Sequence, residues 1–174
     1  MYKTLIRPVL FKFNPEVAHN LTLNGLKVLR RIPFARNIVR LIYKREHPNL
    51  EREVFGIKFP NPVGLAGGLD KNGECYNELS DFGFGFVEIG SLTAKPQPGN
   101  PKPRLFRVVK DKAIINRMGI NNHGVTQAIR NINSNHPRVI IAGNIAPNSS
   151  SQGEQVTEDY KTAFSLLYDF VDMF

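Results

Sequence analysis

Polar or charged side chains follow three apolar runs, at the points where each run would end as a buried strand. Lys71 follows the run VGLA, Ser91 follows FVEI, and Asn144 follows VIIA. An ammonium group at a strand end can hold an anionic ligand or the negative charge of a reduced cofactor. Because the carboxyl ends of parallel strands meet at one edge of a sheet, we expect these groups to converge on a binding site.

Glycines and amides accompany these three groups. Gly67 and Gly68 separate the first run from Lys71, and without a Cβ the backbone there can turn sharply and approach a ligand. The loop from Asn116 to Asn122 carries side-chain amides, which both donate and accept hydrogen bonds. A lone lysine is more commonly a solvated surface residue, and an Asn-rich loop more commonly forms turns. It is their convergence at one edge that favours a ligand site.

Several common sites are excluded by their spacing. Gly68 and Gly73 have the separation found in a phosphate-binding P-loop, but Glu74 stands where that motif requires lysine. No Gly-x-Gly-x-x-Gly sequence occurs, so a Rossmann dinucleotide site has no support. The four histidines lack metal-ligand spacing, and we expect no metal site. Cys75 has no cysteine to pair with, which suits a reducing compartment, and we expect it at a half-buried helix position.

Positive charge is concentrated near the N-terminus. Residues 1–45 contain ten Lys or Arg against the single acid Glu16, whereas the remaining chain carries thirteen basic and fourteen acidic residues. Lys and Arg interrupt the apolar residues every few positions, which argues against a signal peptide. The uncharged apolar stretches are also too short to span a bilayer.

Helical periodicity in this basic segment predicts three amphipathic helices, at 2–13, from the cap Asn14-Pro15-Glu16 to Pro33, and at 34–43. Such helices either lie in a membrane interface or pack their apolar faces on the rest of the protein. The charge asymmetry leaves both interpretations open. We expect a helical domain over residues 1–45 and a main domain over residues 46–174.

The main domain alternates strand and helix patterns. The predicted elements are a hairpin at 53–59 around Gly56, parallel strands at 63–66, 86–91 and 139–142, a second hairpin joining 105–109 to 113–115, polar loops at 93–103 and 116–122, and helices at 73–82, 124–131 and from Thr157 to 170. This alternation is typical of an α/β protein with a TIM (βα)8 barrel. Since only three of eight strands are present, we expect the chain to be the N-terminal part of such a barrel.

Three strings of the sequence resemble a known family. GLAGGLDKNGEC, EIGSLTAKPQPGNPKPRLFR and INRMGINNHG closely resemble the dihydroorotate dehydrogenases, specifically their membrane-associated, quinone-dependent class. The resemblance covers essentially the whole chain, including the N-terminal segment VAHNLTL. It implies an FMN-dependent enzyme that oxidises dihydroorotate to orotate in pyrimidine synthesis and passes the electrons to a quinone.

The resemblance also implies roles for individual residues. The positions matching FMN-binding residues are Ala66, Gly67, Gly68, Lys71, Ser91 and Asn144. The positions matching substrate-binding residues are Lys71, Asn116, Arg117, Met118, Gly119 and Ile120. His19 and Arg107 match residues that line a quinone tunnel between the helices and the barrel. The helices would then hold the protein peripherally on the cytoplasmic face of the inner membrane.

Two departures from the family pattern stand out. Relatives usually continue Asn-Ile-Gly-Lys-Asn after the third strand, whereas this chain has Asn144-Ile-Ala-Pro-Asn148, so Pro147 removes a charge and a donor. The family's catalytic base is a serine in an Asn-x-Ser-x-Pro-Asn segment, which we expect beyond Phe174. The later flavin-binding segments are expected there too, and residues 1–174 alone are therefore expected to be inactive.

Other functional classes remain as alternatives at this stage. A soluble flavin barrel that uses fumarate or NAD is one, although the N-terminal helical extension argues against it. A non-catalytic module at a membrane interface is another. Nucleic acid is not an expected partner, because no reading motif accompanies the basic segment.

Overall fold

The computed structural model describes residues 2–45 and 47–174. Its N-terminal segment is helical: a π-type turn at Tyr2–Ile6 is followed by helices α1 (Arg7–Leu10), α2 (Pro15–Leu29) and α3 (Ala35–Tyr43). The first predicted helix, 2–13, is therefore shorter and irregular. The predicted cap of α2 is confirmed, because the Asn14 side chain accepts a hydrogen bond from the Glu16 N–H at 2.9 Å.

The remaining elements alternate as the sequence predicts. After a 3-10 turn at Pro48–Leu50 they are β1 (Arg52–Val54), β2 (Ile57–Phe59), β3 (Gly64–Leu65), α4 (Tyr76–Ser80), β4 (Phe86–Leu92), β5 (Leu105–Val108), β6 (Ala113–Asn116), α5 (Val125–Asn135), β7 (Ile140–Ile145) and α6 (Glu154–Leu167). Strands β1 and β2 form the first hairpin and β5 and β6 the second, both antiparallel. Both predicted hairpins are confirmed.

A parallel sheet of three strands, in the order β3-β4-β7, lies at the centre of the chain. It consists of the three strands that the apolar runs predict. Residues after α6 also join its edge, since the Gly143 N–H donates to the Met173 carbonyl at 2.8 Å and the Asp172 N–H donates to the Ile141 carbonyl at 2.9 Å. This gives a parallel bridge beside β7. Because β3, β4 and β7 are parallel, their carboxyl ends all lie at the same end of the sheet, which we call its carboxyl edge.

The two faces of the sheet differ in character. One face is covered by helices, and its fully buried residues include Val87 and Ile89 from β4, Ile132 from α5 and Leu167 from α6. Burying each of these aliphatic side chains stabilises the fold by roughly 1.5–3 kcal/mol. The opposite face carries the half-buried side chain of Glu88. Alternation along β4 therefore directs Val87 and Ile89 to the helices and Glu88 to the opposite face.

Several element boundaries differ from the predictions. Helix α4 does not begin at residue 73, because the Asp70 carboxylate accepts hydrogen bonds from the Glu74 and Cys75 N–H groups and holds that segment as a turn. Cys75 precedes the helix and is fully buried, so its predicted half-buried helical position was wrong. Helix α6 begins before Thr157, after Gly153, so Thr157 is not its cap.

Two smaller corrections concern β6 and α5. Asn116 ends strand β6 and pairs with Leu105, whereas the prediction placed it in a polar loop. Helix α5 continues to Asn135, one turn beyond the predicted end, because its later residue Ile132 is needed to cover the sheet. Within residues 2–45 and 47–174, none of the helices has the length and apolarity that crossing a bilayer requires.

The N-terminal helices dock on the body through both apolar and charged contacts. Leu26 of α2 is buried against Cys75 and Leu79. From α3, Arg36 and Arg40 both form ion pairs with Asp81 at the end of α4. The division at residue 45 stays a prediction, since α2 and α3 pack directly on the second segment.

Asp81 is therefore expected to hold α3 in place. In the whole protein, Asp81→Ala should lower the free energy of unfolding by roughly 2–4 kcal/mol. The Asp81 side chain is only 2% exposed, and its removal leaves the Arg36 and Arg40 guanidinium groups without their carboxylate partner. Glu158→Ala is the matched control: it removes an exposed ion pair with Lys161 and should cost less than about 0.5 kcal/mol. Equal losses in urea unfolding would contradict this role for Asp81.

Candidate functional site

The predicted site residues converge on one cavity at the carboxyl edge of the sheet. The cavity has a volume of about 320 Å³. Ten of the eleven predicted cofactor- and substrate-binding residues line it, and the eleventh, Ala66, directly precedes them in the chain. The lining residues are Gly67, Gly68, Lys71, Ser91, Asn116, Arg117, Met118, Gly119, Ile120 and Asn144. Their convergence is what the strand pattern predicts, and their roles toward particular ligands stay predictions.

A larger cavity of about 440 Å³ lies at the opposite edge, before β4 and β7. Its lining includes Arg40 and Asp81, which already form an ion pair with each other. Chemistry in βα-barrels gathers at the carboxyl ends of the strands rather than at the amino ends. The smaller cavity is therefore the better candidate for a ligand site.

Backbone hydrogen bonds join the turns after β3 and β4. The Gly68 N–H donates to the Gly90 carbonyl at 2.7 Å, and the Gly90 N–H donates to the Asp70 carbonyl at 3.1 Å. Gly90 has φ of 112°, and a Cβ at this position would lie 2.4 Å from the Asn144 carbonyl oxygen. Only glycine permits this close approach. The turn carrying Lys71 is thus held directly beside the ends of the other two strands.

Asp70 organises this turn, and the sequence interpretation missed it. Its carboxylate is 1% exposed and accepts hydrogen bonds from the Glu74 and Cys75 N–H groups, each at 2.8 Å. Burial raises the pKa of Asp70 above its usual range, while the two backbone donors oppose that rise. An aspartate a few residues before a helix was the available signal, since such side chains often accept hydrogen bonds from free N–H groups.

Lys71 is a half-buried cation beside this cavity. Burial lowers its pKa, the Arg104 guanidinium lowers it further, and the Glu16 carboxylate opposes both effects. Among the described residues, the structure gives its ammonium group no carboxylate ion-pair partner. A desolvated ammonium group that lines a cavity is well suited to an anionic ligand.

Asn122 supports the loop that forms the other wall of the cavity. Its side-chain oxygen accepts hydrogen bonds from the Thr93 N–H at 3.2 Å and the Gly124 N–H at 2.8 Å. Its side-chain NH₂ donates to the Ile120 carbonyl at 2.8 Å. Ile120 has a positive φ of 52°, which is rare for a β-branched residue. Asn122 thus holds a strained backbone segment against the end of β4.

Gln97 joins this loop to the loop that follows β7. Its NH₂ donates to the Ile120 carbonyl at 3.1 Å, and its side-chain oxygen accepts from the Ser149 N–H at 2.9 Å. The Asn148 NH₂ also donates to that oxygen, at 3.2 Å. The sequence interpretation placed Gln97 in an irregular loop without a role. Its position between two proline-containing segments carried no signal of this contact.

The departure at Pro147 leaves the loop after β7 anchored. Pro147 has no N–H, but the Ala146 N–H donates to the Leu92 carbonyl at 2.9 Å. The Asn148 N–H donates to the Asp159 carboxylate at 2.9 Å. That carboxylate also accepts a hydrogen bond from the Ser151 hydroxyl. The Ser151 bond makes the larger contribution and the Asn148 bond the smaller one to keeping the pKa of Asp159 below its usual range.

The two predicted quinone-tunnel residues are not in the cavity lining. Arg107 lies on β5, and its guanidinium donates to the Phe13 carbonyl at 2.7 Å and sits 4.5 Å from the ring centroid of Phe11. His19 is half-buried on α2, and burial lowers its pKa, with a further contribution from the Lys71 ammonium group.

Across the part of the chain that the structure describes, no three His, Cys, Asp or Glu side chains are arranged to hold a metal ion.

The charges around His19 lead to a prediction of opposite signs. The Lys71 cation lowers the pKa of His19 and the Glu16 carboxylate raises it. In the whole protein, Lys71→Met should therefore raise the pKa of His19, and Glu16→Gln should lower it. NMR titration of the His19 ring checks both directions. Lys161→Met, at an exposed position of α6, is the control and should leave the His19 titration unchanged. Shifts of the same sign from Lys71→Met and Glu16→Gln would contradict the arrangement.

The chain is similar to known proteins over most of its length. The family model described as dihydroorotate dehydrogenase matches residues 49–174. A dihydroorotate dehydrogenase (quinone) from Christiangramia forsetii is 52% identical over 174 residues, which are all of this chain and 51% of that protein. One of the same name from Methylococcus capsulatus is 43% identical over 98% of this chain and 48% of its own length. The chain spans about half the length of the curated relatives it matches.

A solved structure shows the same fold. The crystal structure of DHODH from Eimeria tenella in complex with ferulenol superposes with a TM-score of 0.76 at 33% sequence identity. The match covers 91% of this chain and 42% of that one. Together with the family match over residues 49–174, these similarities show that the chain belongs to the dihydroorotate dehydrogenase family.

Proposed function

We propose that the whole protein is a quinone-dependent dihydroorotate dehydrogenase, which oxidises dihydroorotate to orotate in pyrimidine biosynthesis and passes the electrons through FMN to a quinone. The observation that carries this proposal is the cavity in which ten predicted ligand-binding residues meet. Family membership and the names of the relatives support it. We correspondingly propose that β3, β4 and β7 form the first part of a TIM barrel.

The residues at the strand ends fit a flavin. Gly68 has φ of 100°, and a Cβ added there would meet nothing within 4 Å, so the bare backbone faces open space beside the cavity. A flat ring can therefore approach that backbone closely. Ser91 and Asn144 would supply a hydroxyl and an amide for hydrogen bonding, and Lys71 a positive charge. FMN, when bound, supplies the hydride acceptor that this reaction requires.

The loop from Asn116 to Ile120 would hold the substrate. The Asn116 side chain accepts a hydrogen bond from the Met118 N–H at 2.9 Å, which orients that amide beside the cavity. Arg117 would hold this loop in place at the wall of the cavity, because its guanidinium donates to the Pro103 carbonyl at 2.8 Å and its N–H donates to the Arg104 carbonyl at 2.9 Å. The orotate carboxylate would then lie near the Lys71 ammonium group, with amide groups facing the ring.

Proton removal needs a base in addition to these groups. The resemblance assigns that base to a serine in an Asn-x-Ser-x-Pro-Asn segment, to which no residue of 1–174 corresponds. We therefore expect residues 1–174 by themselves to be inactive.

The N-terminal helices would form the quinone entrance and attach the protein peripherally to the cytoplasmic face of the inner membrane. Their exposed apolar side chains include Leu21, Val28, Ile38, Leu41 and Ile42. Cations of the same segment would lie over lipid phosphates while these side chains enter the acyl boundary. His19 and Arg107 would then line the path from the membrane to the flavin.

Lys71 provides the direct test of the substrate site. In the whole protein, Lys71→Met should lower kcat/KM for dihydroorotate at least about 100-fold, because the substrate carboxylate loses its half-buried partner. Steady-state kinetics with a quinone acceptor measures this, and flavin absorbance reports whether FMN is retained. Lys161→Met on α6 is the control and should match the wild type. Wild-type kinetics in Lys71→Met would overturn the assignment.

The membrane proposal is tested on α3. The double substitution Ile38→Glu with Leu41→Glu places charge on side chains that are 57% and 81% exposed, so it should reduce co-sedimentation with anionic lipid vesicles at least fivefold. Oxidation of dihydroorotate with a water-soluble acceptor should be retained. Tyr168→Glu, on a side chain that is 62% exposed after α6, is the control. Unchanged vesicle binding by the α3 variant would refute the proposed membrane contact.

A further inference from the structure

Arg104 is buried where helix α2 meets the loops around the cavity. Its side chain is 7% exposed, and that of its partner Glu16 is 10% exposed. Its Nε donates to the Glu16 carboxylate at 3.2 Å and its Nη2 at 2.7 Å. Its Nη1 donates to two carbonyls, Pro98 at 2.6 Å and Asn100 at 3.0 Å. One planar guanidinium thus bonds to a helix on one side and to a loop on the other.

The loop that Arg104 holds is bonded in turn to the loop from Asn116 to Ile120, which we call the substrate loop. The Asn100 N–H donates to the Met118 carbonyl at 3.0 Å, and its side-chain NH₂ donates to the Arg117 carbonyl at 2.8 Å. The Arg117 N–H donates to the Arg104 carbonyl at 2.9 Å. Backbone also meets backbone here, since a Cβ on Gly99 would lie 2.2 Å from the Met118 carbonyl oxygen. The Arg104 backbone therefore bonds directly to the wall of the cavity, and its guanidinium is connected to that wall through Asn100.

The helix end of the contact lies close to His19, one of the two predicted quinone-tunnel residues. Glu16 is in the first turn of α2, and His19 follows it by three residues, about one helical turn. Asn14 caps the same turn through the Glu16 N–H, which fixes the backbone that carries the carboxylate. Lys102 also approaches Glu16, at 3.3 Å, but its side chain is 66% exposed. The Arg104 contact is thus the buried one.

Stability alone is a weak reason for such a pair. Desolvating a carboxylate and a guanidinium costs several kcal/mol per ion, and apolar residues of similar size often stabilise a fold equally well. What the pair provides in addition is direction, because the guanidinium fork accepts only one relative placement of its partners. Glu16 and Arg104 therefore set where α2 lies relative to the loops.

We propose that Arg104 is a positioning residue that couples the N-terminal helices to the substrate loop. Its bond to Glu16 forms only when α2 is docked, and its bond to Asn100 fixes the position of the Met118–Ile120 backbone. The cavity then has its binding-competent shape only when α2 is docked. This inference rests on the proposed function and deepens it, because it connects the quinone side of the protein to the dihydroorotate side.

The test uses the whole protein loaded with FMN and measures binding rather than turnover. Arg104→Lys keeps the charge but loses the fork, and it should raise the Kd for orotate at least tenfold in calorimetry. Glu16→Gln should raise the Kd in the same direction. The double variant should be no weaker than the worse single variant, because both substitutions break one connection. Lys102→Met is the matched control and should change the Kd less than twofold.

Amide hydrogen exchange gives a second readout that a general loss of stability would not reproduce. In both single variants, exchange at Met118–Ile120 should accelerate at least tenfold while the core of β4 and α5 keeps its wild-type rates. An orotate Kd within twofold of wild type in Arg104→Lys would overturn the coupling, as would additive effects in the double variant. Failure of the wild-type protein itself to bind orotate would instead overturn the proposed function.

Discussion

The hydrogen bonds between the turns that follow β3 and β4 are the constraint on which the candidate site depends. The Gly68 N–H donates to the Gly90 carbonyl, and the Gly90 N–H donates back to the Asp70 carbonyl. Both glycines have a positive φ, 100° at Gly68 and 112° at Gly90. The third strand, β7, lies against the turn after β4, since a Cβ on Gly90 would lie 2.4 Å from the Asn144 carbonyl oxygen. Polar residues from all three strands therefore face one cavity.

The loops around the cavity are irregular. Side-chain amides supply the backbone hydrogen bonds there that a neighbouring strand supplies within a sheet. Buried backbone groups must be hydrogen-bonded, and outside regular elements the partners have to come from side chains. Gln97 and Asn122 each bond to backbone groups of two segments, and the Asn148 side chain bonds to both the N–H and the carbonyl of Lys95. Their combined effect is a preorganised wall, with the strained backbone at Ile120 held by bonds from two of them.

The basic N-terminal segment packs on the body through ion pairs and also leaves apolar side chains exposed. Lys27 pairs with Glu74, while Arg36 and Arg40 pair with Asp81, so part of the positive charge attaches the helices to acids of the body. Exposed apolar side chains remain on the same helices. Packing and membrane contact are therefore not competing interpretations of this segment, because α2 and α3 pack on one side and leave apolar groups exposed on another.

The sequence by itself determined the features that depend on neighbouring residues. Apolar runs located the parallel strands, and Asn14-Pro15-Glu16 located the start of α2, because strand burial and helix capping are read within a few residues. The family strings located the cavity residues. Only the tertiary structure decided the contacts of Asp70, Gln97 and Arg104. The Glu16–Arg104 contact joins residues 88 positions apart, and a pairing at that separation is set by how the elements pack, which no local pattern records.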